Sequence, residues 1–122
     1  AINDPVNGVR QEVARALGFA RIAAAVPSLV AWALGDENPG VREAAAEALI
    51  HMPPSDAISL LAEALSYEDE NVRGRAAEIL GAIGDPVAVS HLIRSLQDES
   101  PQVREAAGRS LWEIGFAGHG NT

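Results

Sequence analysis

Residues 41–49 read VREAAAEAL, and the pattern returns as VRGRAAEIL at 72–80, VREAAGRSL at 103–111 and VRQEVARAL at 9–17. The four Val-Arg pairs stand 32, 31 and 31 residues apart. Copies in register over most of a 122-residue chain are an internal repeat, and a period in this range signals stacked helical units. Within each copy the apolar residues recur at helical spacing. Val41, Ala45, Leu49 and Met52 share one face, as do Val72, Ala76, Leu80 and Ile83, and Val103, Ala107, Leu111 and Ile114. Small residues at Ala46, Ala77 and Gly108 are expected to let a neighbouring helix come close.

A second helix type lies between the copies. AVPSLVAWAL begins at Ala25, AISLLAEAL at Ala57 and AVSHLIRSL at Ala88. Its expected core positions are Val26 and Leu29, then Ile58, Leu61 and Leu65, then Val89, Leu92 and Leu96. Stop and start signals separate the helices. Gly84-Asp85-Pro86 reads as a terminal glycine, an N-cap and a first-turn proline. Asn38-Pro39 and Ser100-Pro101 read as N-caps with first turns, and Pro53-Pro54-Ser55 ends one helix and starts the next. Seven helices are expected, at about 5–19, 22–35, 38–52, 55–66, 69–83, 86–97 and 100–115.

The combined pattern is Asp-x4-Val-Arg-x2-Ala-Ala-x2-Leu followed by Ala-Val/Ile-x2-Leu. It resembles the HEAT-like repeats first associated with phycobilisome lyases, in their compact bacterial and archaeal form, over about residues 4–116. The resemblance implies an all-α fold: an α-solenoid, a right-handed superhelix of about three and a half repeats. One domain is expected over 1–122, with repeat helices over about 5–116 and a flexible tail at 117–122. It also implies that the Val-Arg helices line a concave face and the Leu-rich helices an outer one. The copies differ in detail. Asp4, Asp36 and Asp98 stand six residues before the motif arginine, but the third copy has Tyr67 there. The first copy lacks the Asp-Pro of residues 85–86, and Trp112 replaces the glycine seen at Gly18 and Gly81.

Composition narrows the function. The chain has 17 acidic residues against nine basic ones, a formal charge of −8 with no basic stripe. Phosphate neutralisation supplies much of the affinity for nucleic acid, so neither nucleic acid nor an anionic membrane surface is expected as a partner. The same charge disfavours the HEAT-like DNA-repair glycosylases. All nine basic residues are Arg, and there is no Cys, which removes disulfide and thiolate chemistry. The stretch AINDPVNG at 1–8 lacks the charged and apolar regions of a signal peptide, so a cytoplasmic protein is the expectation.

No catalytic residue, cofactor or metal site is expected. His51, His91 and His119 are far apart and fall on different helix types. The His-Glu dipeptides of the iron-dependent deoxyhypusine hydroxylases, which share this repeat, are absent: His51 precedes Met52, and His91 precedes Leu92. The motif arginines Arg10, Arg42, Arg73 and Arg104 read as structural, each near the Asp of its own preceding turn. Since Tyr67 breaks that set, Arg73 should find another partner. The exposed positions of the Val-Arg helices form the candidate binding face: Arg15, Glu43, Glu47, His51, Arg75, Glu78, Glu105, Arg109 and Glu113, with Gln11 and Glu12 beside them. An extended face of this kind suits recognition of another protein, here one with a basic surface. Phe19, Trp32 and Tyr67 are expected in core or cap positions. Trp112 and Phe116 are expected at an open end of the array, available for self-association. The leading function is therefore a non-catalytic protein-interaction or scaffold module. The alternative that the resemblance implies is a subunit or relative of a phycobilin lyase.

Overall fold

A computed structural model describes the backbone of residues 5–119 and the side chains of residues 8–115. Among the described residues there are seven α-helices and no strand. They are α1 (Pro5–Ala20), α2 (Val26–Gly35), α3 (Pro39–Ile50), α4 (Pro54–Ala64), α5 (Glu70–Ile83), α6 (Val89–Ser95) and α7 (Pro101–His119). The all-α expectation holds. The helix α7 runs past the expected end at 116 as far as His119, and residues 120–122 of the expected tail lie outside the described residues.

The chain divides into two compact units, residues 1–57 and 58–122. In the first unit, α1 and α2 both pack on α3. In the second, α5 and α6 both pack on α7. The Val-Arg helices therefore pair with one another, and a Leu-rich helix joins each pair. Val41, Ala45 and Leu49 have no exposure at all, nor have Ala76, Leu80, Val103 and Ala107. Leu29, Leu61 and Leu92 of the Leu-rich helices are likewise fully buried. Leu96 departs from expectation: it follows the end of α6 and is 37% exposed.

Local chemistry explains several helix ends. Asn38 caps α3, its Oδ1 accepting from Gly40 N at 2.7 Å. Asp69 caps α5 through Asn71 N at 2.8 Å. Ser100 does not cap α7 as expected; its side chain is buried and its Oγ makes no hydrogen bond. Two Leu-rich helices open with a short 3-10 turn, at Ala23–Ala25 and Pro86–Ala88. The second is well formed: Gly84 takes the left-handed conformation at φ 77°, and Asp85 accepts from Val87 N at 2.9 Å. The first copy has Arg21 and Ile22 in those two places. Arg21 is forced to φ 55°, and Ile22 offers no side-chain cap.

The motif arginines correct the expected pairing. Arg42, Arg73 and Arg104 each reach back with Nη1 to the main chain, not to the carboxylate, of their own preceding turn. Arg42 donates to Asp36 O at 2.6 Å, Arg73 to Tyr67 O at 2.9 Å and Arg104 to Asp98 O at 2.7 Å. The carboxylate serves the arginine of the copy before it. Asp36 accepts from Arg10 Nε at 2.8 Å and Nη2 at 3.2 Å. Asp98 accepts from Arg73 Nε at 2.9 Å and Nη2 at 3.1 Å. A planar guanidinium suits this two-pronged grip. Arg73 does find a partner beyond its own turn, as expected, but Arg10 does the same, so Tyr67 is not the reason. The geometry requires only a main-chain carbonyl six residues back, and a tyrosine supplies that as well as an aspartate.

Burial pushes the Asp98 carboxyl up, but the hydrogen bonds from Arg73 and Ser100 N, with the charges of Arg73 and Arg104, outweigh it. The carboxyl is held below its ordinary value. In the unfolded chain it titrates near the usual pKa of about 3.9. The contribution of the pair is therefore complete above that value and is lost as pH falls through the lower folded value. Urea unfolding should show stability declining below about pH 4. Asp98→Asn should cost about 3 kcal/mol at neutral pH and flatten the acid limb. At the other turn, a left-handed L-residue costs about 1–2 kcal/mol. Arg21→Gly should stabilise the protein by about 1 kcal/mol, raising the midpoint of a thermal melt by about 3–5 °C.

Candidate functional site

The close approach of α1 to α3 builds the site. Gly18 lies nine residues after its motif valine and faces Ala48, seven residues after the next one. A Cβ placed on Gly18 would sit 2.5 Å from Ala48 Cβ and 2.7 Å from its Cα. The same two register positions meet in the second unit, where a Cβ on Gly81 would sit 2.5 Å from Ser110 Cβ. There the Ser110 hydroxyl also donates to Ala77 O at 2.7 Å across the helix pair. Close packing thus falls on Gly18 and Gly81; Gly108, one of the positions expected to permit it, has only Leu96 Cδ2 within reach, at 3.9 Å.

Where α1 and α3 run so close, a groove of about 260 Å³ opens beside the contact. Gly18, Ala44 and Ala48 form its floor, Arg15 and Phe19 one wall, and Glu47 and His51 the other. Three of the expected face residues, Arg15, Glu47 and His51, are brought together here. Arg15 is already engaged, donating to Glu12 at 2.9 Å. Glu47 and His51 are exposed. Phe19 overturns its expected core or cap role: it is 94% exposed. A side chain facing solvent on a helical repeat cannot be told from a core aromatic by period alone, because α1 meets a neighbour on only part of its surface.

The remaining face residues are not gathered into this groove. Glu43 is exposed on α3, outside the lining. In the second unit Arg75 is half-buried, which removes it from the open face, while Glu78 and Glu113 are exposed. Arg109 donates to Glu105 at 2.7 Å along α7. Trp112 is 72% exposed, and the Phe116 side chain lies outside the described residues. On α1, Val9 is 60% and Val13 38% exposed, although their register equivalents Val41, Ala45, Val103 and Ala107 are fully buried.

A second pocket, of about 220 Å³, was not expected from the sequence. It is lined by Ala62, Leu65 and Ser66 with His91, Arg94, Ser95 and Asp98. Its Asp98 carboxylate is occupied by Arg73 and Ser100 N. The helical spacing of His91 and Arg94 was the available signal. Among the described residues no three His, Asp or Glu gather as a metal would need. No described helix is long and apolar enough to cross a membrane.

These helix pairs and their recurring contacts have a counterpart among known families. The family model for HEAT repeats matches residues 1–61 and 26–112. The chain belongs to the HEAT-repeat family. No curated protein matches it. As a HEAT-repeat protein it has its groove between two successive Val-Arg helices.

The close contact under the groove sets a stability limit. Gly18→Ala should push α1 away from α3 and cost about 1–3 kcal/mol, in spite of alanine's better helix propensity. At Gly115, with nothing within 4 Å of an added Cβ, the same change should be neutral or stabilise by up to about 1 kcal/mol. Urea titration of both variants checks the contrast.

Proposed function

We propose that this HEAT-repeat chain is a non-catalytic protein-interaction module whose exposed Val-Arg faces, the α1–α3 groove foremost, hold a partner with basic residues. One observation carries the reading. The groove sets an almost fully exposed phenylalanine beside an exposed carboxylate over a floor of small side chains. An exposed aromatic with a polar rim is typical of residues that anchor protein interfaces. HEAT repeats commonly serve protein–protein interaction, and the acidic surface favours a cationic partner and speeds its encounter. The Asp-x4-Val-Arg-x2-Ala-Ala-x2-Leu pattern further supports kinship with the compact repeats first associated with phycobilisome lyases.

The test compares the native chain with Glu43→Lys/Glu47→Lys/Glu78→Lys in affinity capture from the host, followed by mass spectrometry and titration of the captured partner. All three glutamates are exposed, and surface changes of this kind usually shift stability by less than about 0.5 kcal/mol each. The variant should melt like the native chain yet bind its partner at least about tenfold more weakly, about 1.4 kcal/mol. Undiminished binding by the triple variant would remove the reading.

A further inference from the structure

We propose that the α1–α3 groove is a receptor for a single cationic side chain, an arginine or lysine of the partner, held between the ring of Phe19 and the carboxylate of Glu47. The proposal rests on the protein-interaction reading and names the chemistry that its groove selects.

Phe19 is the starting point. It is 94% exposed, more than any other large apolar side chain described. The repeat does not call for an aromatic there: the residues at the same register position in the other copies are His51, Ala82 and Glu113. A ring face attracts a guanidinium or ammonium group laid over it. The opposite wall supplies the matching charge. Glu47 is exposed and makes no ion pair among the described residues. The arginine lining the groove, Arg15, is turned to Glu12 at 2.9 Å instead. The small floor leaves room for an entering side chain: about 260 Å³, several times the roughly 30 Å³ of a water molecule.

The second unit provides an internal comparison. Its α5 and α7 carry the same close contact at Gly81 and Ser110. In register with Phe19 it has Ala82, and in register with Glu47 it has Arg109, already joined to Glu105. Neither the ring nor the free carboxylate is present at those positions. Cation recognition is thus a property of the first unit's substitutions, not of the repeat in general.

The probes are an acetylated hexa-arginine peptide and its hexa-citrulline counterpart, nearly equal in shape but without charge. Each is titrated into the full chain at pH 7.5 while backbone amide resonances are followed. Hexa-arginine should shift the amides of residues 15–19 and 44–51, and hexa-citrulline should leave them in place. Phe19→Ala and Glu47→Gln, both at exposed positions, should each weaken hexa-arginine binding at least fivefold; Phe19→Tyr should retain it. Equal shifts from both peptides would overturn the proposal. So would unchanged affinity in Phe19→Ala, since that result means diffuse attraction to an acidic surface. Either failure, with a captured partner still lost in the triple glutamate variant, would leave the interaction role standing and remove only this groove chemistry.

Discussion

A guanidinium taken out of water must have its donors satisfied, and that requirement organises the repeat. Arg73 is 8% exposed and reaches four acceptors: two oxygens of Asp98 and the main-chain carbonyls of Tyr67 and Glu68. One side chain thereby fastens the turn before its own helix and the turn before the next Val-Arg helix. Asp98 in turn accepts from Ser100 N, which shapes the entry to α7. Arg10 and Asp36 repeat the carboxylate grip in the first unit, where Asp36 likewise accepts from Asn38 N. Planarity matters here, because an ammonium could not serve a carboxylate with one edge and carbonyls with the other.

With turn anchored to turn, paired helices can approach until side-chain volume stops them. At Gly18–Ala48 and Gly81–Ser110 almost nothing intervenes. Such an approach excludes bulky residues at the contact and pushes them to its rim. The groove of the first unit is that rim, and Phe19, Arg15, Glu47 and His51 stand along it. Its charged groups are one completed pair, Arg15 with Glu12, and the exposed carboxylate of Glu47. The copy starting at Val41 has Ile50 where Gly18 and Gly81 stand in theirs, and the last copy has Trp112. Neither isoleucine nor tryptophan is compatible with an approach so close that even an added Cβ would lie 2.5 Å from the neighbour's Cβ.

Much of the fold was legible in the chain. Helix type follows from the spacing of Val, Ala and Leu. Caps such as Asn38, Asp69 and Asp85 act within three residues of themselves, so their meaning survives without tertiary context. Ser100 and Leu96 were misread because their roles depend on what surrounds the turn they share. Part of the site was legible too. Arg15, Glu47 and His51 lie on the polar face of their helices, and they meet in the groove. Phe19 was not legible, because a phenylalanine near the end of an amphipathic helix ordinarily turns inwards.

The sequence by itself determined the repeat, its register, the order of helix types and the acidic surface. These depend on local periodicity, capping and charge, which act over a few residues. Tertiary structure decided which carboxylate each arginine takes, where two helices nearly touch, and which side chains are left at the edge of that contact. Those outcomes join residues 25–33 positions apart. They depend on the offset between neighbouring helices, which a repeating pattern of apolar residues does not specify.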